Sequence, residues 1–179
     1  MTHRVRSACK VLPLLLVLAA GGCGQDVSPT AAPLQATGTT LCFADYQKCI
    51  NPIFNNTIQG QNGAVSCTQG SGCHLAPNGS GGQFQIDPAA QNDTPEMQNN
   101  FNTALKFVNL NDPPASLLLE KPTATGRTAG VGHSGGNIFP NDADACHVAI
   151  ETWISNQVDD PNAASCGQCT APSLASCGY

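Results

Sequence analysis

The chain has 179 residues, of which 41% are hydrophobic and only 11% are charged. Ordinary soluble domains carry about 25% charged residues, so the polar surface here must come mostly from Asn, Gln, Ser and Thr. Seven Lys and Arg residues against twelve Asp and Glu residues give no basic surface for nucleic acid, which we exclude as a partner.

Residues 1–22 have the pattern of an export signal. Basic residues lie within the first ten positions, an apolar stretch follows over residues 11–18, and small residues precede Cys23. The segment Ala20-Gly21-Gly22-Cys23 resembles the lipobox of bacterial lipoproteins, and Gly24 behind it is similar to their outer-membrane sorting pattern. An ordinary cleavable signal with an incidental cysteine is the alternative. We expect a periplasmic or cell-surface lipoprotein, held in the outer membrane through lipid on Cys23.

The rest of the chain divides into a tether, a domain and a tail. Residues 23–40 lack apolar periodicity and are rich in Pro, Thr, Ala and Gly, which is typical of a flexible spacer. Residues 41–158 form the predicted domain, and residues 159–179 form a tail with three cysteines and many small residues. An exported protein lies in an oxidising compartment, so disulfides are expected among the eight cysteines that follow Cys23.

Helical periodicity appears in three segments of the domain. The first runs over residues 43–58, where Pro52 should kink the helix or end its first half. The second begins at Asp93-Thr94-Pro95-Glu96, which has the order of a cap residue followed by a first-turn proline. The third starts near Asp142, and a short turn is expected over residues 116–119. Because no segment alternates enough for more than a hairpin, the predicted fold is small, mostly α and loop-rich.

The residues with the most distinctive chemistry are Cys67, Cys73 and His74. Two cysteines with a histidine directly after the second are typical of covalent c-type haem attachment, in which the thiols add to porphyrin vinyl groups and the imidazole binds iron. The usual spacing is C-x2-C-H and here it is C-x5-C-H, although Gly70 and Gly72 allow the extra residues to bulge. The alternative is a Cys67–Cys73 disulfide, whose seven-residue ring would contribute only about 2.4 kcal/mol.

The order of motifs along residues 41–158 resembles the c-type cytochrome domains of exported bacterial proteins, in particular the planctomycete type. The matching motifs are Pro52 within the first helix, the Cys67…Cys73-His74 loop, Gly81-Gly82-Gln83-Phe84, Ser116-Leu117-Leu118-Leu119-Glu120-Lys121-Pro122, His133-Ser134-Gly135-Gly136 and Trp153-Ile154. The resemblance implies a small cytochrome c-like helical domain with Gly-rich loops, stapled by disulfides and holding one haem c.

The same resemblance assigns the candidate ligands. Cys67 and Cys73 would be the attachment points, His74 the proximal ligand and His133 the sixth ligand. Met97 is the second choice, since methionine on an apolar helix face is more often core than ligand, and a methionine ligand would raise the reduction potential. His147 is expected to be exposed. The haem would pack against apolar side chains, namely Phe54, Phe84, Phe101, Phe107, Leu117, Phe139 and Trp153.

The remaining six cysteines allow fifteen disulfide pairings. If the helices cross as in cytochrome-like folds, Cys42 or Cys49 would pair with Cys146. Cys166-Gly167-Gln168-Cys169 has the spacing of dithiol redox motifs, but no strand–helix context surrounds it. We therefore expect these cysteines to be structural.

These observations favour an exported, membrane-tethered, single-haem c-type cytochrome that carries electrons and is not an enzyme. A haem with an open sixth position and peroxidase-like activity is an alternative with the same sequence features. Removal of residues 1–22 leaves four basic and twelve acidic residues, a net charge of −8, so redox partner proteins would dock through a basic patch or an apolar haem edge. One alternative is a haem-less, disulfide-stapled surface or binding module. Another is a zinc or copper site made by Cys67, Cys73, His74 and His133.

Overall fold

The computed structural model describes residues 39–60, 62–68, 73–124, 132–175 and 177. The predicted export signal, the lipidation site Cys23 and the tether up to residue 38 lie outside the described residues. Within the described ranges, no helix combines the length and the apolar character needed to cross a bilayer.

Helix α1 covers residues 43–55 and changes its winding around a proline. Phe43–Asp45 is α-helical, Tyr46–Ile50 forms a π-helix, and Asn51–Asn55 returns to α-helical geometry. Proline lacks an N–H, and its ring meets the carbonyl group four residues earlier. A wide π turn directly before Pro52 relieves that conflict. The helix therefore continues through Pro52 and ends at Asn55, three residues earlier than the periodicity predicts.

Two longer helices begin at side-chain caps. Helix α2 covers Pro95–Leu105, and the Thr94 hydroxyl accepts a hydrogen bond from the Met97 N–H at 3.3 Å. A 3₁₀ turn over Pro113–Ala115 precedes the short helix α3, Leu117–Glu120. Helix α4 covers Ala145–Ser155. Its N-cap is Asp144, whose carboxylate accepts hydrogen bonds from the Cys146 and His147 N–H groups. Each predicted helix is present, which confirms the cap and periodicity signals.

Two small antiparallel sheets accompany the helices. Strand β2 (Ile58–Gly60) and strand β3 (Gly63–Val65) form a hairpin. Strand β1 (Thr40–Leu41) pairs with strand β4 (Gln157–Val158) and so joins the two ends of the predicted domain. The larger sheets that the sequence excluded do not occur among the described residues.

The expectation of a mostly α fold is wrong. Helices make up 33% and strands 11% of the described residues. The difference lies in the long connections rich in Gly, Pro and Asn, which hold their shape through side-chain hydrogen bonds instead of helical ones. In one of them, the Asn100 amide accepts from the Asp87 N–H at 2.8 Å and donates to the Asp87 carbonyl oxygen at 2.9 Å.

Three disulfides fasten the C-terminal tail to the domain, which confirms the expectation of a stapled fold. They are Cys42–Cys166, Cys49–Cys169 and Cys146–Cys177. The expected bond from Cys42 or Cys49 to Cys146 is wrong, because Cys42, directly before helix α1, and Cys49, within it, both pair with the tail. The two cysteines of the C-x-x-C segment bond to separate partners, so this segment is not a dithiol motif.

An aromatic cluster fills the centre of the domain. Tyr46, Phe101 and Trp153 pack with ring centres 5.5–6.3 Å apart. The Trp153 Nε1–H donates to the Cys42 carbonyl oxygen at 3.1 Å, which satisfies the polar end of the buried indole. Phe101 and Trp153, which we expected to pack against a haem, belong instead to this core.

Candidate functional site

A cavity of about 650 Å³ lies beside the core and contains all four candidate residues. Its size falls within the range of about 300–1,000 Å³ that is usual for small-molecule sites. Its wall is largely apolar and includes Ile53, Phe54, Phe84, Phe107, Leu117, Leu118, Ile138 and Phe139. Five of the seven apolar side chains predicted to pack against a haem are in this wall. Cys67, Cys73, His74 and His133 also line it.

The two cysteines of the attachment motif meet at the cavity despite their long spacing. The His74 N–H donates to the Cys67 carbonyl oxygen at 3.1 Å, which returns Cys67 to the side of Cys73-His74. Neither cysteine belongs to a disulfide, so the local Cys67–Cys73 bond is not formed. Burial, together with the neighbouring Cys73, raises the pKa of the Cys67 thiol to about 11. The glycines expected to form the bulge lie outside the described residues.

His74 is fixed by the loop that follows it. Its Nδ1 lies 2.7 Å from the Phe84 carbonyl oxygen, and because that oxygen can only accept, Nδ1 carries the hydrogen. The Ile86 N–H donates to the His74 carbonyl oxygen at 2.8 Å, which ties the two strands of the loop together. Burial lowers the pKa of the imidazole, and nearby His133 and Lys121 lower it further. The ring is therefore neutral at pH 7, and its Nε2 carries no hydrogen and has a lone pair to offer.

His133 has the same arrangement on the opposite loop. Its Nδ1 lies 2.8 Å from the Gly136 carbonyl oxygen, so in the neutral ring Nδ1 again carries the hydrogen and Nε2 has the lone pair. The Gly136 N–H donates to the His133 carbonyl oxygen at 2.9 Å, and Gly136 has a positive φ of 80°, which this tight turn requires. Further along, the Ile138 N–H donates to the Pro122 carbonyl oxygen at 2.7 Å. The loop is thereby attached to the segment behind helix α3.

The two imidazoles lie parallel to each other. Their ring centres are 5.9 Å apart and their planes differ by 5°. Two imidazoles that bind one metal ion from opposite sides place their ring centres about 6 Å apart, because each metal–nitrogen bond is about 2.0 Å long. Offset aromatic pairs that bind no metal also have ring centres about 4.5–7 Å apart, so the distance alone does not separate the two arrangements. The carbonyl partner on each Nδ1 favours the ligand interpretation, since it holds each ring in one tautomer.

A glycine contacts each histidine ring at a position where a side chain would interfere. A Cβ at Gly81 would overlap the Cys73 carbonyl oxygen and the His74 Nδ1. A Cβ at Gly135 would lie 3.1 Å from His133 Cε1. The sequence pattern singled out these glycines as part of a motif, but only the structure shows that they touch the imidazoles.

Two other candidates lie away from the cavity. Met97 is buried on helix α2 and lines a separate pocket formed mostly by Asn and Gln side chains. His147 is 2% exposed, so the expectation of an exposed side chain is wrong. Its Nε2 lies 3.6 Å from Asp142 and its Nδ1 lies 3.7 Å from Glu151. Neither Met97 nor His147 lines the cavity that holds His74.

Among the described residues, no group of three or more His, Cys, Asp and Glu side chains is arranged to hold a metal ion by itself. No protein-family model matches this chain, no curated protein is similar to it, and no solved structure matches it.

Proposed function

We propose that the cavity binds one haem through thioether bonds to Cys67 and Cys73, with His74 and His133 as axial ligands, and that the protein carries electrons. The observation that carries this proposal is the parallel histidine pair, 5.9 Å between ring centres, inside an apolar cavity that also holds two thiols. The iron of such a group supplies one-electron redox chemistry.

The residues of the cavity fit a haem in three respects. The volume of about 650 Å³ and the aromatic wall suit a large flat apolar group. Both imidazoles have Nδ1 engaged with a backbone carbonyl, as is usual for histidine ligands of metals. The Cys67 thiol, whose pKa burial raises to about 11, stays protonated at pH 7 and resists adventitious oxidation or metal capture until haem is attached.

Ligation by two histidines explains why an electron carrier is favoured over an enzyme. With His74 and His133 on opposite sides of the iron, no coordination position remains for oxygen, peroxide or another substrate. The role of the two loops is then to hold both rings in place while the charge of the iron changes. Their hydrogen bonds to Phe84 and Gly136 serve this purpose.

The proposal includes the location and partners expected from the sequence. We place the protein on the periplasmic or outer surface of a bacterial outer membrane, anchored through lipid on Cys23. Its acidic composition favours redox partner proteins with a basic patch or an apolar contact surface.

A haem-less surface or binding module is the second candidate. The aromatic cluster around Phe101 and the three disulfides stabilise the domain through contacts that involve no occupant of the cavity. In this case the cavity would bind another apolar molecule, and the protein would be colourless.

The visible spectrum of the full chain, expressed with a c-haem maturation system, separates the two candidates. We expect a Soret band that survives acid–acetone extraction, because the haem is covalently attached. Extraction should remove the colour from the Cys67→Ala/Cys73→Ala variant. The matched control, Cys146→Ala/Cys177→Ala, also loses two cysteines but should keep the extraction-resistant band. A colourless full chain, produced alongside a correctly matured control cytochrome, would contradict the proposal.

Gly81→Ala tests whether close approach to His74 matters. The new Cβ would overlap the imidazole and the Cys73 carbonyl group, and such overpacking costs about 1–3 kcal/mol. We expect reduced haem incorporation and a weakened low-spin spectrum. Gly132→Ala is the control, because a Cβ there meets no atom within 4 Å. Equal haem content in the two variants would show that the Gly81 contact does not position His74.

A further inference from the structure

Among the described residues that line the cavity, one side chain is positively charged and none is negatively charged. Lys121 follows helix α3 and lines the cavity together with Leu117 and Leu118 from that helix. Every other described lining residue is apolar, uncharged polar, cysteine or histidine. Lys121 is half-buried, and its ammonium group is near enough to His74 to contribute to the lowered pKa of that imidazole, after burial and His133.

The location of this charge is unusual for the composition of the chain. The protein has twelve acidic residues against seven basic ones, yet no acidic residue in the described part of the chain lines the cavity. Among the described residues, Lys121 takes part in no ion pair, and its neighbour Glu120 lies outside the cavity wall. This ammonium group lines an otherwise uncharged described wall, where it can pair with a carboxylate group of the cavity's occupant.

We infer that Lys121 binds a carboxylate group at the edge of the cavity's occupant. The occupant is then an apolar disc with an acidic edge, and Lys121 sets both its orientation and its preference for anionic ligands. Ser80 and Ser134 also line the cavity and supply neutral hydroxyl groups. This inference rests on the proposed function, since a porphyrin with free carboxylate groups is the occupant considered.

The test compares two probes in the full chain carrying Cys67→Ala/Cys73→Ala, so that binding is non-covalent and reversible. The probes are haemin, which has two free carboxylates, and haemin dimethyl ester, which has none. Adding Lys121→Gln should weaken haemin binding about 10-fold, the usual effect of losing a hydrogen bond to a charged group. It should leave the affinity for the ester unchanged. The matched control is Lys106→Gln, which removes the same charge from an exposed position outside the cavity and should affect neither probe.

The outcomes distinguish this inference from the proposed function. Equal losses for both probes, or no loss for either, would overturn the role of Lys121 while leaving haem binding intact. If neither probe gives a histidine-ligated low-spin spectrum in the Cys67→Ala/Cys73→Ala protein that retains Lys121, the proposed function is overturned, and this inference with it. Should the alanine background not fold by circular dichroism, the Cys67→Ser/Cys73→Ser background carries the same comparison.

Discussion

His133→Ala is expected to convert the haem-loaded protein from a six-coordinate low-spin to a five-coordinate high-spin spectrum. His133 lies on the loop opposite His74, and its parallel ring is the second imidazole of the cavity. No methionine is among the described residues that line this cavity, so no sulfur ligand replaces the lost imidazole. Visible absorption at pH 6 is the measurement.

Met97→Leu is the control for that prediction. Met97 lies in a different part of the domain, and exchange of Met for Leu usually costs less than about 1.5 kcal/mol. The variant should keep the low-spin spectrum of the parent protein. If Met97→Leu loses that spectrum and His133→Ala keeps it, the assignment of the sixth ligand is wrong.

Removal of two disulfides together should unfold the domain, whereas removal of either one should not. Cys42–Cys166 and Cys49–Cys169 join the same two segments, with sequence separations of 124 and 120 residues. When one bond is present, the other closes a ring of only about 12 residues, which is worth about 3 kcal/mol in the chain-entropy model. When both disulfides are removed, the unfolded chain also loses the constraint on the loop of about 120 residues, which lowers the free energy of unfolding by about 5 kcal/mol more. The total of about 8 kcal/mol is comparable with the stability of a typical domain, about 5–15 kcal/mol.

Urea denaturation followed by circular dichroism measures this difference. The variants are Cys42→Ala/Cys166→Ala, Cys49→Ala/Cys169→Ala and the combination of both pairs. We expect two folded proteins with lower midpoints and one protein that is unfolded or nearly so in buffer. A combined variant that is no less stable than either single-pair variant would contradict the pairing or its role.

The helices were predictable because their signals are local. Thr94 and Asp144 are capping residues directly before apolar periodic segments, and both caps are present in the structure. The effect of Pro52 was predicted only in part. The sequence shows that proline interrupts a helix. Whether the helix then ends or continues through a wider π turn depends on the packing of the segments on each side of the proline, here around the buried Tyr46.

Long-range features were not predictable from the residues. Cysteine spacing permits many pairings, and the tail that takes Cys42 and Cys49 has no periodic signal that would place it beside helix α1. The buried position of His147 also depends on tertiary packing, since the Asp142 and Glu151 carboxylates around it make burial of an imidazole tolerable. The mostly α prediction failed for a related reason, because loops fixed by amide side chains have no sequence period.

The candidate site shows the same division. The Cys-His motif and the later glycine-flanked histidine identified Cys67, Cys73, His74 and His133, and the structure brings all four to one cavity. Lys121 belongs to the motif over residues 116–122, and nothing in its local sequence shows that it lines a cavity whose described wall has no carboxylate. Charge complementarity of this kind becomes visible only when the walls are assembled.

Intact-mass spectrometry of the denatured, haem-matured full chain tests the central claim most directly. We predict the mass of the processed chain plus one haem, with the added mass on the peptide that contains Cys67, Cys73 and His74. In His74→Ala and His133→Ala, any haem that is incorporated should remain on the denatured chain, because the cysteines and not the histidines make the thioether bonds. A mass equal to that of the bare chain, with Cys67 and Cys73 recovered as thiols or as a disulfide, would contradict the account.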